Sequence, residues 1–253
     1  MTRRHILVIG AQRCGTTYLH DLLAGHPQIA MARPARPEPK VFLSDELSGR
    51  GRQWYVDTFF SHAGPDQLLG EKSTSYLEYA DAARRARDVL GDPLILVQVR
   101  DPIARALSHW AFSTDHGFES RPAVNVLEAN LEGPLPWDPA KSSVSPVAYL
   151  ERGRYTDYLG PWLEEFGGDV KILLLDEMRS ERDRVAELFD FLGVDSEVTP
   201  ELGRTVNASA AVTPRLPDDL VHLLREYYRD SDRALAQLLG RPLTWQGTTG
   251  GRP

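Results

Sequence analysis

The sequence predicts an α/β fold in which a mainly parallel sheet of about four to five strands is flanked by helices on both faces. Short, continuous apolar runs recur along the chain, which is typical of strands that are buried on both faces. Each run leads into a segment with apolar residues at helical spacing, and this alternation of strand and helix favours a parallel sheet. The runs span residues 6–9, 94–99 and 171–175, with a weaker one at 68–70.

Start and stop signals place the predicted helices. The first spans residues 16–24 and ends at Gly25, because glycine commonly terminates a helix. Pro102 stands where a first-turn proline belongs, and apolar residues at helical spacing follow it. Two further helices are predicted over residues 180–192 and 218–239, the last of which is expected to pack on the sheet.

Two stretches depart from this alternation. Residues 32–39 contain three prolines, so the segment is predicted to be extended and irregular. Residues 117–146 contain five prolines and form a long, turn-rich insert. A structureless insert of this length inside a compact domain is usually either a functional lid or disordered, and we expect a lid or substrate-binding insert. Because the sequence shows neither repeats nor a linker, we expect a single domain over residues 1–253.

Composition and charge exclude several function classes. With 42% hydrophobic residues among 253, the chain can bury a sizeable core. Its 29 lysines and arginines against 36 acidic residues give a net charge of −7, which disfavours a nucleic acid or a membrane as partner. The single cysteine, Cys14, suits a reducing compartment. The apolar run after Arg3 and Arg4 is too short for a signal peptide, so a cytoplasmic location is predicted.

The segment 10–17, Gly-Ala-Gln-Arg-Cys-Gly-Thr-Thr, lies between a predicted strand and a predicted helix. That context is typical of a loop whose backbone N–H groups bind phosphate. The two glycines have the spacing of the nucleotide-binding motif G-x-x-x-x-G-K-[ST], but Thr16 stands where that motif has lysine. The cation is Arg13, inside the loop, where a guanidinium can bind phosphate oxygens. The alternative is a simple glycine turn in which Thr16 caps the helix.

A second segment follows the strand at 94–99. Arg100 comes at the carboxyl end of this strand, the edge at which open α/β sheets bind ligands, and Ser108 follows about two helical turns later. The alternative is that Arg100 pairs with Asp101 or another acid and that Ser108 is an ordinary helix serine.

Together the two segments resemble the sulfotransferases that use 3′-phosphoadenosine 5′-phosphosulfate (PAPS), most closely the heparan-type and bacterial branch, with an arginine-containing loop as in the tyrosylprotein enzymes. The resemblance implies a P-loop-type fold. It also implies that the first loop holds the 5′-phosphosulfate and that R-D-P-x-x-R-x-x-S holds the 3′-phosphate. The donor-binding residues that it implies are Arg13, Cys14, Gly15, Thr16, Thr17, Tyr18, Arg100 and Ser108. More weakly, it adds Asn207 and Arg215 of a late loop near the adenine.

The resemblance also implies catalytic roles. Arg13, which stays protonated, is expected to neutralise the departing phosphate, and Lys72 to lie near the reacting group. Glu38 is the preferred base, although Lys40 could hold it as a plain ion pair. His109 is the alternative base, or a histidine packed on a helix face. Cys14 is interpreted as a small loop residue rather than a nucleophile.

The predicted activity is transfer of the sulfuryl group from PAPS to a hydroxyl of a small-molecule or glycan acceptor, with PAP (3′-phosphoadenosine 5′-phosphate) as product and no metal. A small-molecule kinase is the alternative; it would need Mg²⁺, with Asp101 or Asp176 as candidate ligands. A third reading is a nucleotide-sensing module without turnover. Acceptor identity and oligomeric state stay open.

Overall fold

The computed structural model describes residues 4–138, 145–199 and 214–246. The chain divides into two compact units. Unit 1 comprises Met1–Val99 and Tyr158–Val206, and unit 2 comprises Arg100–Asp157 and Asn207–Pro253. The expectation of a single domain stays a prediction.

Unit 1 contains a parallel sheet, as the sequence predicts. The strands pair in the order β2-β3-β1-β4-β5, and every pairing is parallel. Because all five run the same way, their carboxyl ends meet at one edge. The strands are β1 (His5–Gly10), β2 (Ile29–Met31), β3 (Leu68–Lys72), β4 (Leu94–Val99) and β5 (Val170–Leu174).

Helices flank the sheet and build the second unit. The first is confirmed from Thr16 to Ala24, and the last from Asp218 to Leu239. In chain order the helices are α1 (Thr16–Ala24), α2 (Asp45–Ser48), α3 (Gly51–Phe59), α4 (Ala80–Leu90), α5 (Pro102–Asp115), α6 (Ala123–Leu131), α7 (Thr156–Phe166), α8 (Leu175–Ser180), α9 (Arg182–Leu192) and α10 (Asp218–Leu239).

Each unit has its own hydrophobic core. In unit 1, Ile6 and Val8 of β1 and Leu96 of β4 pack against α1 and α9, and every residue of both strands is buried, which explains why the two strands are largely apolar. In unit 2, residues of α5, α6 and α10 pack together, including Leu127 and Leu224, which have no exposed surface. Full burial of one such leucine contributes about 1.5–3 kcal/mol, so these contacts define the position of each helix.

Three details differ from the sequence prediction. The short strand β2 was not expected. The last strand ends at Leu174, one residue before the end of the predicted apolar run. The predicted helix over 180–192 begins at Arg182 instead, because Ser180 is the last residue of α8 and Glu181 separates the two helices. The insert at 117–146 is not structureless, because α6 forms within it and buries Val126 in the core of unit 2. Its role as a lid stays a prediction, and residues 32–39 are irregular as expected.

Candidate active site

The loop after β1 is held in place by β4. The Ala11 backbone N–H donates to the Gln98 carbonyl oxygen at 2.8 Å, and the Gln98 side-chain amide donates to the Cys14 carbonyl oxygen at 2.7 Å. Within the loop, the Cys14 N–H donates to the Ala11 carbonyl oxygen at 3.2 Å. These bonds satisfy inward-facing polar groups of the loop and give it one conformation.

Two loop residues have left-handed backbone conformations, Arg13 with φ 65° and Gly15 with φ 74°. Gly15 is the N-cap of α1, so no cap side chain accepts from the first-turn N–H groups of that helix. Such N–H groups at a helix N-terminus favour a bound anion. The alternative in which Thr16 caps the helix is wrong, since α1 begins at Thr16 itself.

Close packing requires glycine at position 15. A Cβ atom there would lie 2.5 Å from Leu175 Cδ1 and 3.2 Å from the Gln98 amide nitrogen. The positive φ alone is costly for a residue with a side chain. Gly15 therefore serves both the turn and the approach of the loop to the sheet.

The side chains around the loop divide into two groups. Arg13 and Thr17 are partly exposed, so they are accessible to a ligand at the loop. The Cys14 and Tyr18 side chains point into the protein, where the Tyr18 hydroxyl donates to the Met178 carbonyl oxygen at 2.9 Å and burial raises its pKa. The backbone N–H and carbonyl of Cys14 are also bonded within the protein, to Ala11 and Gln98, so donor binding by Cys14 and by Tyr18 stays a prediction.

Glu38 is held at the carboxyl end of β3, beside the end of β1. Val8 of β1 pairs with Lys72 of β3, which places the loop after β1 and the end of β3 at the same sheet edge. The Glu38 carboxylate forms a salt bridge with Lys72 and accepts hydrogen bonds from the Thr74 N–H at 3.1 Å and the Thr74 hydroxyl at 3.2 Å. The two charged side chains are 17% and 9% exposed, so the pair is largely shielded from water but still accessible.

This arrangement modifies one sequence-based expectation. The ion-pair partner that the structure shows for Glu38 is Lys72, whereas the backbone N–H of Lys40 donates to the Ser73 hydroxyl at 2.9 Å. The two residues expected to be catalytic from separate segments are thus in direct contact. A carboxylate beside an ammonium group can take a proton from a hydroxyl while the cation faces developing negative charge.

Sequence reasoning missed the buried group beneath this pair. Glu71 has no exposed surface and accepts hydrogen bonds from the hydroxyls of Tyr55 at 2.6 Å, Ser73 at 2.6 Å and Tyr76 at 2.7 Å. Burial raises the pKa of Glu71, while the three hydroxyl donors oppose that shift and the charge of Glu38 adds to it. The available signal was a glutamate inside an otherwise buried strand, where an acid needs several partners.

In unit 2, α5 begins immediately after Arg100. Asp101 caps the helix by accepting from the Ile103 N–H at 3.0 Å, and both of its carboxylate oxygens accept from the Arg225 guanidinium at 2.8 Å. The Arg100 carbonyl oxygen accepts from the Tyr155 hydroxyl at 2.8 Å. The backbone beside Arg100 is therefore fixed from two directions. Asp101, which the alternative reading paired with Arg100, is bound by Arg225.

The remaining predicted residues have varied environments. Ser108 is half-buried on α5, and His109 is 4% exposed with its ring 4.9 Å from that of Tyr149. Arg215 is exposed, and its guanidinium nitrogen lies 3.8 Å from a carboxylate oxygen of Asp218. Asn207 falls outside the described residues.

Neither a metal cluster nor a membrane-spanning helix is present in the described part of the chain. Across residues 4–138, 145–199 and 214–246, no three His, Cys, Asp or Glu side chains are grouped as a metal site would require. In the same ranges, no helix combines the length and apolar character needed to cross a membrane.

Curated relatives cover most of the chain. It is 28% identical over 262 residues to human heparan sulfate glucosamine 3-O-sulfotransferase 6, a match that covers 94% of the chain and 72% of that protein. With mouse heparan sulfate glucosamine 3-O-sulfotransferase 3A1 it is 25% identical over 270 residues, covering 95% of the chain and 64% of that protein. A bifunctional heparan sulfate N-deacetylase/N-sulfotransferase 1 from Caenorhabditis briggsae matches at 27%, over 71% of the chain and 21% of that protein. No family model matches.

Solved sulfotransferase structures share the fold. A sulfotransferase from Alicyclobacillus acidocaldarius matches with a TM-score of 0.75 at 24% identity, covering 96% of this chain and 98% of that one. Mouse sulfotransferase SULT7A1 complexed with PAP matches with a TM-score of 0.52 at 15% identity, covering 95% and 86%. At these identities the likeness concerns the fold alone.

The parallel sheet, the arginine-containing loop after β1 and homology over nearly the whole chain define a sulfuryl-transferring enzyme. The chain is similar to the sulfotransferases in sequence over nearly its whole length and in fold, which supports sulfuryl transfer as its activity. The kinase alternative has no support among these relatives.

Proposed function

We propose that this enzyme transfers the sulfuryl group of PAPS to a hydroxyl of a carbohydrate or small-molecule acceptor, with Glu38 as the base. The observation that carries the proposal is the cluster of Glu38, Lys72 and Thr74 at the sheet edge where the loop after β1 also begins. A carbohydrate acceptor is supported by the relatives, whose names describe enzymes of heparan sulfate.

The proposed reaction is a single in-line displacement. The acceptor oxygen loses its proton to Glu38 and forms a bond to sulfur, while the bond from sulfur to the 5′-phosphate oxygen breaks. PAP leaves with the electron pair of that bond. Arg13 and Lys72 neutralise the charge that builds up on the leaving phosphate, Arg13 purely electrostatically because a guanidinium stays protonated.

We assign donor binding to both motifs. The Arg13 side chain and the backbone N–H groups of residues 15–17 would hold the 5′-phosphosulfate, and Arg100 with Ser108 would hold the 3′-phosphate. The left-handed turns at Arg13 and Gly15 support the first part, since they leave the start of α1 open to an anion. The assignment needs no metal, because arginines, a lysine and N–H groups supply the positive charge.

Glu38 is a better candidate for the base than His109 because its side chain is more accessible to an acceptor. Glu38 retains 17% exposure and lies at the sheet edge, whereas His109 is 4% exposed against Tyr149. A base has to reach the proton that it removes.

The test is transfer of labelled sulfate from PAPS, without added metal, to glucosamine-containing oligosaccharides, simple alcohols and phenols. With an acceptor in hand, we expect Glu38→Gln to lower kcat by about 10²- to 10⁴-fold while PAP binding changes less than about twofold. Glu46→Gln is the control, because Glu46 is 82% exposed and pairs only loosely with Arg50 at 3.6 Å. An unchanged kcat in Glu38→Gln would contradict the assignment of the base, and phosphoryl transfer from ATP with Mg²⁺ would contradict the proposed reaction.

A further inference from the structure

Glu71 lies under the proposed catalytic pair, and its three hydrogen bonds go to other side chains. Its Oε1 atom accepts from the Ser73 and Tyr76 hydroxyls, and its Oε2 atom accepts from the Tyr55 hydroxyl. All four side chains have no exposed surface. Burying a carboxyl group is costly, and three hydrogen bonds offset that cost only in part.

Two of these hydroxyls also hold the segment that carries Glu38. The Ser73 hydroxyl accepts from the Lys40 N–H at 2.9 Å, and the Tyr76 hydroxyl accepts from the Phe42 N–H at 3.2 Å. These anchors lie two and four residues after Glu38, at and beyond the left-handed turn at Lys40, whose φ is 53°. The segment is therefore bound by two hydroxyls that share one acceptor, Glu71 Oε1.

The chemistry of the hydroxyl group explains why an acceptor is needed at this point. A hydroxyl has one proton to donate and lone pairs with which to accept. Because Ser73 and Tyr76 each give their proton to Glu71, their lone pairs face the backbone N–H groups of the segment. If Glu71 carries a proton, Oε2 can hold it toward Tyr55, and Oε1 still accepts from both anchoring hydroxyls.

We propose that Glu71 is a positioning residue: it orients Ser73 and Tyr76 as hydrogen-bond acceptors for residues 40–42, and thereby holds Glu38 against Lys72 and Thr74 in the geometry that proton removal requires. This inference rests on the proposed role of Glu38 as base. It assigns Glu71 an effect on kcat rather than on donor binding, because none of these bonds involves the loop after β1.

Tyr55 supplies a matched control. Its hydroxyl donates to the same carboxyl group at the same distance as the Ser73 hydroxyl, 2.6 Å. The Tyr55 ring, on α3, packs against the Phe42 ring with centroids 5.7 Å apart, a contact that phenylalanine would keep. Tyr55→Phe therefore removes one hydrogen bond from Glu71 and leaves both anchors in place. Glu71→Gln is a second control, because its amide oxygen can replace Oε1 and its NH₂ group can face Tyr55. Glu71→Met removes the acceptor altogether.

The first experiment measures amide hydrogen exchange at Lys40 and Phe42 by NMR on the full chain, and needs no acceptor. We expect exchange to rise about tenfold at Lys40 in Ser73→Ala, at Phe42 in Tyr76→Phe and at both in Glu71→Met. In Tyr55→Phe and Glu71→Gln it should stay within about threefold of wild type. A melting curve shows that each variant is folded. Equal exchange at these amides in Tyr76→Phe and Tyr55→Phe would overturn the proposal.

The second experiment measures kcat and the KM for PAPS, with and without the Glu38→Gln change. Tyr76→Phe should lower kcat about tenfold in the wild-type background, because a small displacement of a reacting group is costly, and leave the KM for PAPS within about twofold. In the Glu38→Gln background it should change the residual rate less than about twofold, since the group being positioned is gone. Equal losses in both backgrounds would indicate a merely structural role and overturn the inference. An unaltered kcat in Glu38→Gln alone would instead refute the base, whatever the amides show.

Discussion

Gly15 is the residue on which the conformation of the donor loop depends most directly. Its φ of 74° and the distance of only 2.5 Å that would separate a Cβ atom from Leu175 both exclude a side chain. We predict that Gly15→Ala lowers the free energy of unfolding by about 1–3 kcal/mol and weakens PAP binding, because the loop has to shift. Urea denaturation and calorimetry measure the two effects.

The control is Gly25→Ala at the other end of the same helix. Gly25 has φ −76°, and a Cβ atom there would meet the Asp21 carbonyl oxygen at an ordinary 3.4 Å. This variant should bind PAP like wild type. If Gly15→Ala also binds PAP like wild type, the loop does not form the donor site.

Two buried glutamates should respond to pH with opposite signs. Burial raises the pKa of Glu71 above its ordinary value of 4.5, so the folded state binds the carboxyl proton more tightly than the unfolded state does. The free energy of unfolding of the wild type therefore decreases as pH rises from 4.5 through the pKa of the folded state. Glu71→Gln removes this titration. We therefore expect the free energy of unfolding of the variant, minus that of wild type, to increase with pH over this window.

Glu119 supplies the opposite case. Arg121 lowers the pKa of Glu119, mainly through hydrogen bonds to its carboxylate, so this group stabilises the fold above pH 4.5 and loses its contribution as pH falls through the folded pKa. The difference in free energy of unfolding between wild type and Glu119→Gln should therefore become smaller as pH falls. Denaturant titrations from about pH 3 to about pH 8 cover both windows and compare the variants. Parallel pH profiles for Glu71→Gln and wild type would contradict the expected effect of burial.

At the scale of elements, the start of α5 depends on α10. Asp101 caps α5 and accepts two hydrogen bonds from Arg225, with the two side chains 25% and 33% exposed. We predict that Asp101→Asn keeps the cap and costs about 1 kcal/mol, whereas Asp101→Ala loses the cap as well and costs about 2 kcal/mol. Thermal unfolding gives these values, and PAP titration should show weaker binding in both variants because Arg100 is adjacent.

Arg229→Met is the control for the loss of a charge on α10. The Arg229 guanidinium pairs with Glu226 on the same helix, and both are exposed. This change should have little effect on stability or PAP binding. Arg225→Met removes the guanidinium that binds Asp101, so it should cost more stability than Arg229→Met. Similar losses in the two variants would contradict the expected contribution of the contact between Arg225 and Asp101.

The elements also show what the sequence can predict. Strands β1 and β4 are continuous apolar runs, and α1 ends at a glycine, so these were predictable from pattern alone. Strand β2 has only three residues and pairs with β3 alone, which leaves too short a pattern to detect. Helix α6 was missed because the surrounding prolines favoured an irregular segment, although its buried face has helical spacing.

The site, too, has features that the sequence predicts and features that depend on tertiary structure. Motif spacing and resemblance indicated Glu38 and Lys72 separately. Their contact across 34 residues of chain depends on the pairing of β2 with β3, which brings the segment after β2 to the end of β3 and which the sequence does not display. The role of Glu71 depends on three hydroxyls from separate segments converging on one carboxyl group. Side-chain convergence of this kind follows from tertiary structure and leaves little trace in local pattern.

At the scale of the whole molecule, a net charge of −7 means that an anionic donor has to be attracted by a few local cations and N–H groups. Arg13 and Arg100 are the central candidates, one in each compact unit. Each arginine is expected to contribute to binding of one phosphate group of the donor.

The most direct measurement is therefore calorimetric binding of PAP, without added metal, compared with ATP and adenosine 5′-phosphosulfate, for wild type and Arg100→Ala. We predict tight, metal-independent binding of PAP that weakens when either the 3′-phosphate or the Arg100 side chain is absent. Preferential binding of ATP with Mg²⁺, unaffected by Arg100→Ala, would contradict the account.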